Sequence, residues 1–324
     1  MVTDLRVPPL FAARAPKVLG REAVPWLAAL PELAAAYARK WDLAFEGEAM
    51  HGYVGVVQPA RLPDGTPVVL KLGWRDAESD GEPLALSTWA GRGAVLLLAS
   101  APDDGVLLLE RLDPGRTLDD LPLRSAVPLI GGLARRLAVP APVSMRRRLR
   151  AEAARLTEEL PRRWSELGEP FDRRLVADAV AICRELGPSA AEVLVNEDLH
   201  FQNVLAGTRE PWLVIDPKPL AGDLEWGVIP LFWNRFGEST PDERFAVIVA
   251  SQELDPAKAR AWTLVRAVQN WIWMLEEFAE SGEDSDDPAL ITVTSGASPR
   301  AGGSATRTPE ISGVAEIAVW AASR

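Results

Sequence analysis

The spacing of apolar residues changes along the chain from a mixed pattern to a mainly helical one. Between residues 21 and 41 apolar positions recur at helical spacing, and Pro31 predicts a break between two short helices. From residue 43 the pattern becomes strand-like, because Tyr53–Pro59 and Pro67–Leu72 are rich in β-branched residues and flank the turn sequence Pro63-Asp64-Gly65. Two strands joined by such a turn predict an antiparallel hairpin.

A second group of short elements completes the first third of the chain. A helix is predicted over Glu82–Trp89, with Pro83 in its first turn, and strands are predicted over Ala94–Leu98 and Val106–Arg111. Residues 1–112 are therefore expected to form a small lobe. It consists of a helical leader at about 21–41 followed by a mostly antiparallel sheet.

The rest of the chain has a helical pattern interrupted by one short strand region. The segment 281–308 is rich in Ser, Gly, Asp, Thr and Pro, which predicts a mobile loop. The other elements predicted here are helices at Ser125–Leu137, Met145–Leu167 and Arg173–Leu186, an apolar strand at Val193–Val195, a hairpin of Val204–Leu205 with Trp212–Ile215, helices from Pro230 to about Phe278, and a last helix at Val314–Ala322.

Length and charge fit a two-lobed plan and narrow the choice of partners. A chain of 324 residues exceeds what one compact core usually holds, so we expect an α+β fold with lobes at 1–112 and 113–324. The 46 acidic residues outnumber the 35 basic ones and give a net charge of −11. This charge disfavours nucleic acid and anionic membranes as partners, and an acidic cleft would attract a small cationic molecule.

Two further features bear on location. No apolar run approaches the ~18–20 residues that a membrane-spanning helix needs, and the first ten residues lack the basic and apolar segments of a secretory signal. The single cysteine, Cys183, cannot form an internal disulfide. We therefore expect a cytoplasmic protein, monomeric or weakly dimeric, that binds a small molecule.

Three oxygen-bearing side chains are the main candidates for chemistry. Asp198 follows the apolar strand in a predicted loop, Asn203 precedes one strand of the second hairpin, and Asp216 ends the other. Pairing of these strands brings Asn203 and Asp216 together, and their oxygens are ligands that suit Mg²⁺. Asp198 would then orient a hydroxyl group and accept its proton, as in phosphoryl transfer. Each residue could instead be an ordinary turn or capping residue.

Lys71 adds a positive charge to these candidates. It is one of only five lysines and lies in an otherwise apolar strand. In a phosphoryl-transfer site it would contact the α- and β-phosphates of a nucleotide and be held by a carboxylate of the following helix. Glu82 is the better-placed carboxylate, and Glu78 remains an alternative. In a purely structural role Lys71 would protect a sheet edge or face water.

Segments spread over residues 20–278 carry a resemblance to a known family. They are PWLAALPEL, DGTPVVLKL, GRGAV, LLLERLDPGRTL, DLHFQNVLAGTREPWLVIDPKPLAGD and WTLVRAVQNWIWMLEE. With Lys71 on a strand, DLHFQN, and Asp216 at a strand end, the chain resembles the aminoglycoside phosphotransferase branch of the protein-kinase-like fold. More specifically, it is similar to the streptomycin 6-phosphotransferase / hydroxyurea phosphotransferase family of bacterial antibiotic-resistance kinases.

The resemblance implies a two-lobed protein-kinase-like fold that uses ATP and Mg²⁺. Asp198 matches the family's catalytic base, and Asn203 and Asp216 match its Mg²⁺ ligands. Lys71 matches the phosphate-binding lysine, with Glu82 as its partner. The other residues matched to nucleotide binding are the interlobe hinge Glu110, Arg111 and Leu112, and Gly52 and Gly55 of the loop Met50–Val56.

The resemblance also implies a small hydroxylated acceptor, with streptomycin-type aminoglycosides first because their guanidinium groups suit carboxylates. Relatives often have His-Gly or His-Trp before the catalytic Asp, whereas this chain has Asn196-Glu197. The extra carboxylate could raise the pKa of Asp198 or help to hold a cationic substrate. The predicted substrate-contacting residues are Asp198, Glu197, Asp223, Glu225, Trp273, Glu276 and Glu277.

Other functions remain open on the sequence alone. Hydroxyurea, which is neutral and would not use those acids, or another small metabolite could be the acceptor of the same fold. The chain could also be a catalytically inactive module that binds a nucleotide or ligand. A protein kinase is disfavoured, because the sequence lacks G-x-G-x-x-G, H-R-D, D-F-G and A-P-E.

Overall fold

A computed structural model describes residues 4–281 and 307–323. Most of the predicted loop 281–308 therefore lies outside the described residues. By its internal contacts the chain divides into two units, one comprising Met1–Arg116 with Leu205–Asp216 and the other Thr117–Val204 with Pro217–Arg324. The sequence placed all of 113–324 in one lobe, whereas the structure groups the segment that ends at Asp216 with the first unit.

The secondary structure is mixed, as expected for an α+β chain. The helices are α1 Pro9–Val18, α2 Ala23–Lys40, α3 Glu82–Trp89, α4 Leu123–Leu137, α5 Leu149–Glu166, α6 Arg173–Leu186, α7 Pro230–Trp233, α8 Pro241–Gln252, α9 Pro256–Ser281 and α10 Arg307–Ala322. The strands are β1 Ala44–Phe45, β2 Met50–His51, β3 Gly55–Arg61, β4 Pro67–Gly73, β5 Leu97–Ala101, β6 Val106–Glu110, β7 Asp113–Thr117, β8 Val193–Asn196, β9 Val204–Ala206, β10 Trp212–Val214 and β11 Pro219–Gly222.

The first unit is built on a six-stranded sheet. Its strand order is β1-β3-β4-β6-β5, with β2 paired to β3. The predicted hairpin is confirmed, since β3 and β4 pair antiparallel with Val57 opposite Lys71. On its other side Lys71 lies opposite Leu107 of β6. Lys71 is thus on a central strand, and the alternative that it protects a sheet edge is wrong.

Two helices pack on this sheet and form the core of the unit. Phe11 of α1 and Leu30 and Tyr37 of α2 are buried with Leu70 of β4. The predicted break at Pro31 is wrong, because α2 continues through that residue to Lys40. A proline inside a helix costs about 3 kcal/mol. The burial of residues on both sides of Pro31 against one core offsets that cost.

A small sheet accounts for the position of Asp216 in the first unit. Strands β10, β9 and β7 form a three-stranded sheet in that order. The sequence predicted β9 and β10 as a hairpin but assigned no strand to Asp113–Thr117, whose residues are mostly exposed. The third strand is the reason that the segment following Val204 belongs with residues 1–116.

The second unit is mainly helical, with one two-stranded sheet. Strands β8 and β11 pair antiparallel, and Asn196 lies opposite Pro219. The loop that follows β8 therefore begins beside the residues that precede β11. The longest helix is α9, with 26 residues, but no helix in the described ranges 4–281 and 307–323 is long and apolar enough to cross a membrane.

We expect Cys183, on α6, to react with thiol reagents only after unfolding. Its side chain is buried, and this burial, with a smaller contribution from Glu152, raises the pKa of the thiol to about 12. At neutral pH the reactive thiolate is therefore negligible. The rate of colour release from Ellman's reagent, with and without guanidinium chloride, measures the reactivity of the Cys183 thiol in the unfolded and folded protein. Rapid reaction of the folded protein would show that α6 is not packed in this way.

Candidate active site

Lys71 lies between two carboxylates within the first unit. Its Nζ is 2.7 Å from Glu82 Oε1 and 2.6 Å from Glu82 Oε2, so the side chain of the following helix holds it with both oxygens. The same Nζ donates to Asp216 Oδ1 at 2.6 Å. Of the two glutamates that the sequence left open, Glu82 is thus in direct contact with Lys71. The third member, Asp216, lies 145 positions away in the chain.

Electrostatics keeps this lysine charged. Burial by itself would lower the pKa of Lys71, but the Asp216 and Glu82 carboxylates outweigh it and raise that pKa above its ordinary value. For Glu82, burial raises the pKa to about 7 and the Lys71 ammonium opposes the rise. Because the side chains of Lys71 and Glu82 are only 11% and 6% exposed, the ammonium is held in one place. A fixed positive charge of this kind can bind phosphate oxygens.

Asp216 combines a constrained backbone with a partly accessible carboxylate. It follows β10 and has φ = 50°, a left-handed conformation that Asp tolerates better than most residues. Its side chain is 40% exposed, although one oxygen contacts Lys71. The carboxylate can therefore face both the lysine and a further cation.

The predicted nucleotide loop also runs close to this carboxylate. A β-carbon built on Gly52 would lie 3.9 Å from Asp216 Oδ2. Arg14 of α1 donates from Nη2 to the carbonyls of Gly52 and Tyr53, at 2.9 and 3.0 Å. Gly55 has a different reason to be glycine, because a β-carbon there would lie 2.9 Å from the Leu72 carbonyl oxygen in the neighbouring strand. Close strand pairing, rather than approach to phosphates, requires this glycine.

The predicted hinge follows β6, and the side chains of its first two residues are tied to the first unit. Glu110 accepts hydrogen bonds from the Leu96 amide at 2.8 Å and from Arg209 Nη2 at 2.6 Å. Arg111 binds Glu46 at 2.7 Å. Arg209 was not predicted, and its only sequence signal is its position in the turn between β9 and β10. It anchors the segment that carries Asp216 to the start of the hinge.

The second unit brings Asp198 and Asn203 together. Asn203 Nδ2 donates to the backbone carbonyl of Asp198 at 3.2 Å, which leaves Asn203 Oδ1 as the atom that can face a metal ion. Lys218 Nζ lies 3.7 Å from Asp198 Oδ2. The sequence reasoning missed Lys218. The scarcity of lysine in this arginine-rich chain, and the position of Lys218 two residues after Asp216, were the signals that could have identified it.

Glu197 is buried and faces the protein's own cations. Its Oε1 lies 2.6 Å from Arg147 Nη2, and its Oε2 accepts from Trp226 Nε1 at 2.9 Å and from Arg266 Nη1 at 3.3 Å. Burial alone would raise the pKa of Glu197, but the charges of Arg266 and Arg147 reverse this and lower it. We therefore assign Glu197 a structural role in place of the predicted contact with substrate.

Three other predicted substrate acids also contact the protein's own donors. Asp223, which is buried, accepts from Lys258 Nζ at 3.1 Å and from Trp262 Nε1 at 3.0 Å. Glu225 accepts the Asp255 amide at 3.2 Å, and Glu276 pairs with Arg163. Among the remaining predicted contacts, Glu277 is half-buried and Trp273 is 43% exposed. The structure thus does not bring these acids together as one open cluster.

We expect Glu197→Gln to lower the free energy of unfolding by about 3–5 kcal/mol, because it removes a buried carboxylate that neutralises two partly buried arginines, Arg147 and Arg266. Glu192→Gln is the matched control, since Glu192 also binds two arginines, Arg148 and Arg150, but is 44% exposed. Glu192→Gln should lower the free energy of unfolding by about 1 kcal/mol or less. Urea denaturation at neutral pH measures both, and equal effects would contradict the assignment.

The pH dependence provides a second check on Glu197. Its pKa in the folded protein lies below the ordinary value of 4.5. The stability that its charge contributes is therefore fully present above pH 4.5 and is lost as the pH falls through the folded pKa. The difference between the wild type and Glu197→Gln should shrink over that acidic range.

Comparison with known proteins gives a consistent result. The family model described as aminoglycoside/hydroxyurea antibiotic resistance kinase matches residues 40–277. A hydroxyurea phosphotransferase of Kitasatospora aureofaciens is 44% identical over 262 residues, which cover 80% of this chain and 76% of the relative. A streptomycin 6-kinase of Streptomyces glaucescens is 36% identical over 299 residues, covering 89% of this chain and 96% of the relative.

The fold is shared with solved phosphotransferases of low sequence identity. A spectinomycin phosphotransferase, solved in complex with ADP and spectinomycin, aligns with a TM-score of 0.51 at 14% identity, over 86% of this chain and 92% of that one. The predicted α+β protein-kinase-like fold and the predicted family are both confirmed. By its match to the family model and its identity to these relatives, the chain belongs to the aminoglycoside/hydroxyurea antibiotic resistance kinase family.

Proposed function

We propose that this protein transfers a phosphoryl group from ATP, with Mg²⁺, to a hydroxyl group of a small molecule. The observation that carries the proposal is the position of Lys71 Nζ, 2.6 Å from both Glu82 and Asp216 in an otherwise apolar sheet. An ammonium that two carboxylates hold in one position can bind an anionic partner when Mg²⁺ at Asp216 offsets the second negative charge. The phosphates of a nucleotide are such a partner, and the spectinomycin enzyme of the same fold binds ADP.

The donor atoms suit a nucleotide with Mg²⁺. We assign Asp216 and Asn203 as the protein ligands of the metal, since a carboxylate and an amide oxygen are hard ligands and one face of Asp216 is accessible. When bound, Mg²⁺ neutralises charge on the phosphates. Lys71 binds the same phosphates, Glu82 keeps Lys71 in place, and the segments at Gly52 and at Glu110, Arg111 and Leu112 contribute backbone groups.

Asp198 is the proposed base. Its carboxylate aligns the acceptor hydroxyl and takes its proton as the hydroxyl oxygen bonds to the γ-phosphorus of ATP and the bond from that phosphorus to the leaving ADP breaks. Lys218, whose Nζ lies 3.7 Å from Asp198 Oδ2, helps to orient that carboxylate. The proposal includes a cytoplasmic location, where ATP is available, and the single buried cysteine is compatible with a reducing compartment.

For the acceptor we propose a streptomycin-type aminoglycoside first. Streptomycin 6-kinases of two Streptomyces species are 36% and 38% identical to this chain over most of its length. The guanidinium groups of streptomycin would bind acids that form no ion pair within residues 4–281 and 307–323, such as Glu277, four positions after the exposed Trp273 on α9.

Hydroxyurea is the second candidate, and a structural observation favours it. Apart from Asp198, the predicted substrate-contacting residues include five acids, and four of these (Glu197, Asp223, Glu225 and Glu276) already contact basic groups or amides of the protein. A small neutral acceptor does not need these charges. The relative that acts on hydroxyurea is 44% identical to this chain.

Mass spectrometry of parallel reactions separates the two acceptors. Streptomycin and hydroxyurea are each incubated with the protein, ATP and Mg²⁺, with an Asp198→Asn variant as the control. We expect a product heavier by one phosphoryl group from streptomycin that is absent in the control. If only hydroxyurea gave a product, hydroxyurea rather than streptomycin would be the acceptor. No transfer to either, with ATP still bound, would favour the inactive-module alternative.

A further inference from the structure

We propose that Asn196 is a positioning residue for the catalytic loop, because its single side-chain oxygen holds the backbone amides of both Asp198 and Lys218. This inference rests on the proposed function, in which Asp198 is the base. Asn196 Oδ1 accepts from the Asp198 amide at 3.1 Å and from the Lys218 amide at 3.1 Å. The side chains of those same two residues form the 3.7 Å ion pair of the candidate site.

The position of Asn196 explains how one residue reaches both amides. It is the last residue of β8 and pairs with Pro219, the first residue of β11. The chain therefore leaves β8 towards Asp198 next to the place where it enters β11 from Lys218. Main-chain pairing contributes one further bond at this point, from the Glu197 amide to the Lys218 carbonyl at 3.1 Å. The Asn196 side chain continues the connection between the two strands beyond their last paired residues.

The peptide groups of Asp198 are held on both sides by side-chain amides. Asn196 Oδ1 accepts its N–H, and Asn203 Nδ2 donates to its carbonyl at 3.2 Å. The backbone of the proposed base is therefore fixed independently of its carboxylate. Fixing the backbone limits the positions that the carboxylate can take, which is what alignment of an acceptor hydroxyl requires.

The orientation of the Asn196 amide follows from hydrogen-bond chemistry. Two N–H donors converge on one side of the amide, so the oxygen must lie there; the reverse orientation would place NH₂ against both donors. The Nδ2 atom, on the opposite side, has no hydrogen-bond partner within residues 4–281 and 307–323, although Asn196 is only 7% exposed. An apolar residue would avoid the cost of this unpaired donor. The two hydrogen bonds that Asn196 Oδ1 accepts therefore offset the cost of the unpaired Nδ2 donor.

Gln252, at the end of α8, provides a matched control. It lines the same small cavity as Asn196, together with Leu137, Leu199 and Leu231. It is 3% exposed, and its Nε2 also has no hydrogen-bond partner in the part of the chain that the structure describes. No hydrogen bond connects its side chain to residues 196–203 within those described residues. Replacement of Asn196 or of Gln252 by Leu thus changes the same cavity. Only Asn196→Leu removes the oxygen that accepts from the Asp198 and Lys218 amides.

The first test compares Asn196→Leu with Gln252→Leu in steady-state kinetics and thermal unfolding. We expect Asn196→Leu to lower kcat on the order of 10–100-fold with the KM for ATP nearly unchanged, because misplacement of a catalytic group affects chemistry more than nucleotide binding. Gln252→Leu should keep the wild-type kcat. Equal kcat values for the two variants would overturn the proposal, since the lost oxygen would then have no effect on the base.

The second test does not depend on activity, so it separates this inference from the proposed function. Hydrogen exchange, resolved by residue, should show faster exchange of the Asp198 and Lys218 amides in Asn196→Leu and wild-type exchange in Gln252→Leu. Asn196→Asp, which retains an acceptor oxygen, should keep both amides protected. Unchanged protection in Asn196→Leu, or lost protection in Asn196→Asp, would refute the role of the oxygen. If the wild type phosphorylates no acceptor, only the proposed function fails, and the exchange result still decides this inference.

Discussion

Replacing Asp198 by Asn is expected to lower kcat by roughly 10²–10⁴-fold, the range that a positioned proton acceptor contributes. Asn has the same shape as Asp but cannot take the proton of an acceptor hydroxyl at neutral pH. The backbone bonds from Asn196 and Asn203 go to the main chain of residue 198, so the loop should keep its conformation. The KM for ATP should change little, because the phosphate-binding charge belongs to Lys71.

The folding cost of this substitution should be small. The substitution removes the ion pair between Asp198 and Lys218. Both side chains are about one-third exposed, and such pairs contribute about 1 kcal/mol or less to stability. Asp178→Asn on α6 is the control, since Asp178 forms a comparable exposed pair with Arg174 at 3.8 Å and lies outside the candidate site. Near-normal turnover by Asp198→Asn would mean that another group accepts the proton.

Local patterns in the sequence predicted the elements that carry the site. The hairpin of β3 and β4 follows from two strand-like runs and a Pro-Asp-Gly turn, and α3 begins and ends at the predicted residues, Glu82 and Trp89. The carboxylate partner of Lys71 could be narrowed to two glutamates, because Lys71 and its partner lie on neighbouring elements of the chain. In each case the interacting residues are close in the chain, so spacing alone restricts the geometry.

Contacts between distant segments were beyond this reasoning. Lys71 meets Asp216 across 145 positions because β7, β9 and β10 form one sheet, and no pattern indicated that β7 is a strand. The same applies to Pro31, whose usual effect on a helix is outweighed by packing on a core assembled from distant residues. Tertiary packing decides such cases, and a single sequence does not display it.

The charged residues illustrate the same limit for the site. Acidic composition suggested that several carboxylates bind a cationic substrate, yet Glu197 pairs with Arg147 and Arg266, the latter 69 positions away. A sequence does not distinguish a carboxylate that faces the substrate from one that is buried in the protein next to the catalytic residue. Burial distinguishes them, because a buried carboxylate requires a counter-charge from the protein itself.

Replacing Lys71 by Met is expected to lower kcat/KM for ATP by about 10²–10³-fold, the loss typical of one preorganised donor to a developing negative charge. It should also destabilise the protein by about 3–5 kcal/mol, since Glu82 is left buried beside Asp216 without its partner and must keep an unpaired charge or take up a proton. The contacts of Lys71 predict both. Lys17→Met, at an exposed position on α1, is the control and should change neither quantity.

A double variant separates the two effects. In Lys71→Met/Glu82→Leu the buried charge pair is replaced by apolar side chains, which is often neutral for stability. Asp216 is 40% exposed and can be solvated without the lysine. We therefore expect urea denaturation to show most of the lost stability restored, while kcat/KM stays at the level of Lys71→Met because the Lys71 ammonium is still missing from the phosphate site. If activity returned together with stability, the role of Lys71 would be structural and the phosphate-binding charge would have to come from another residue.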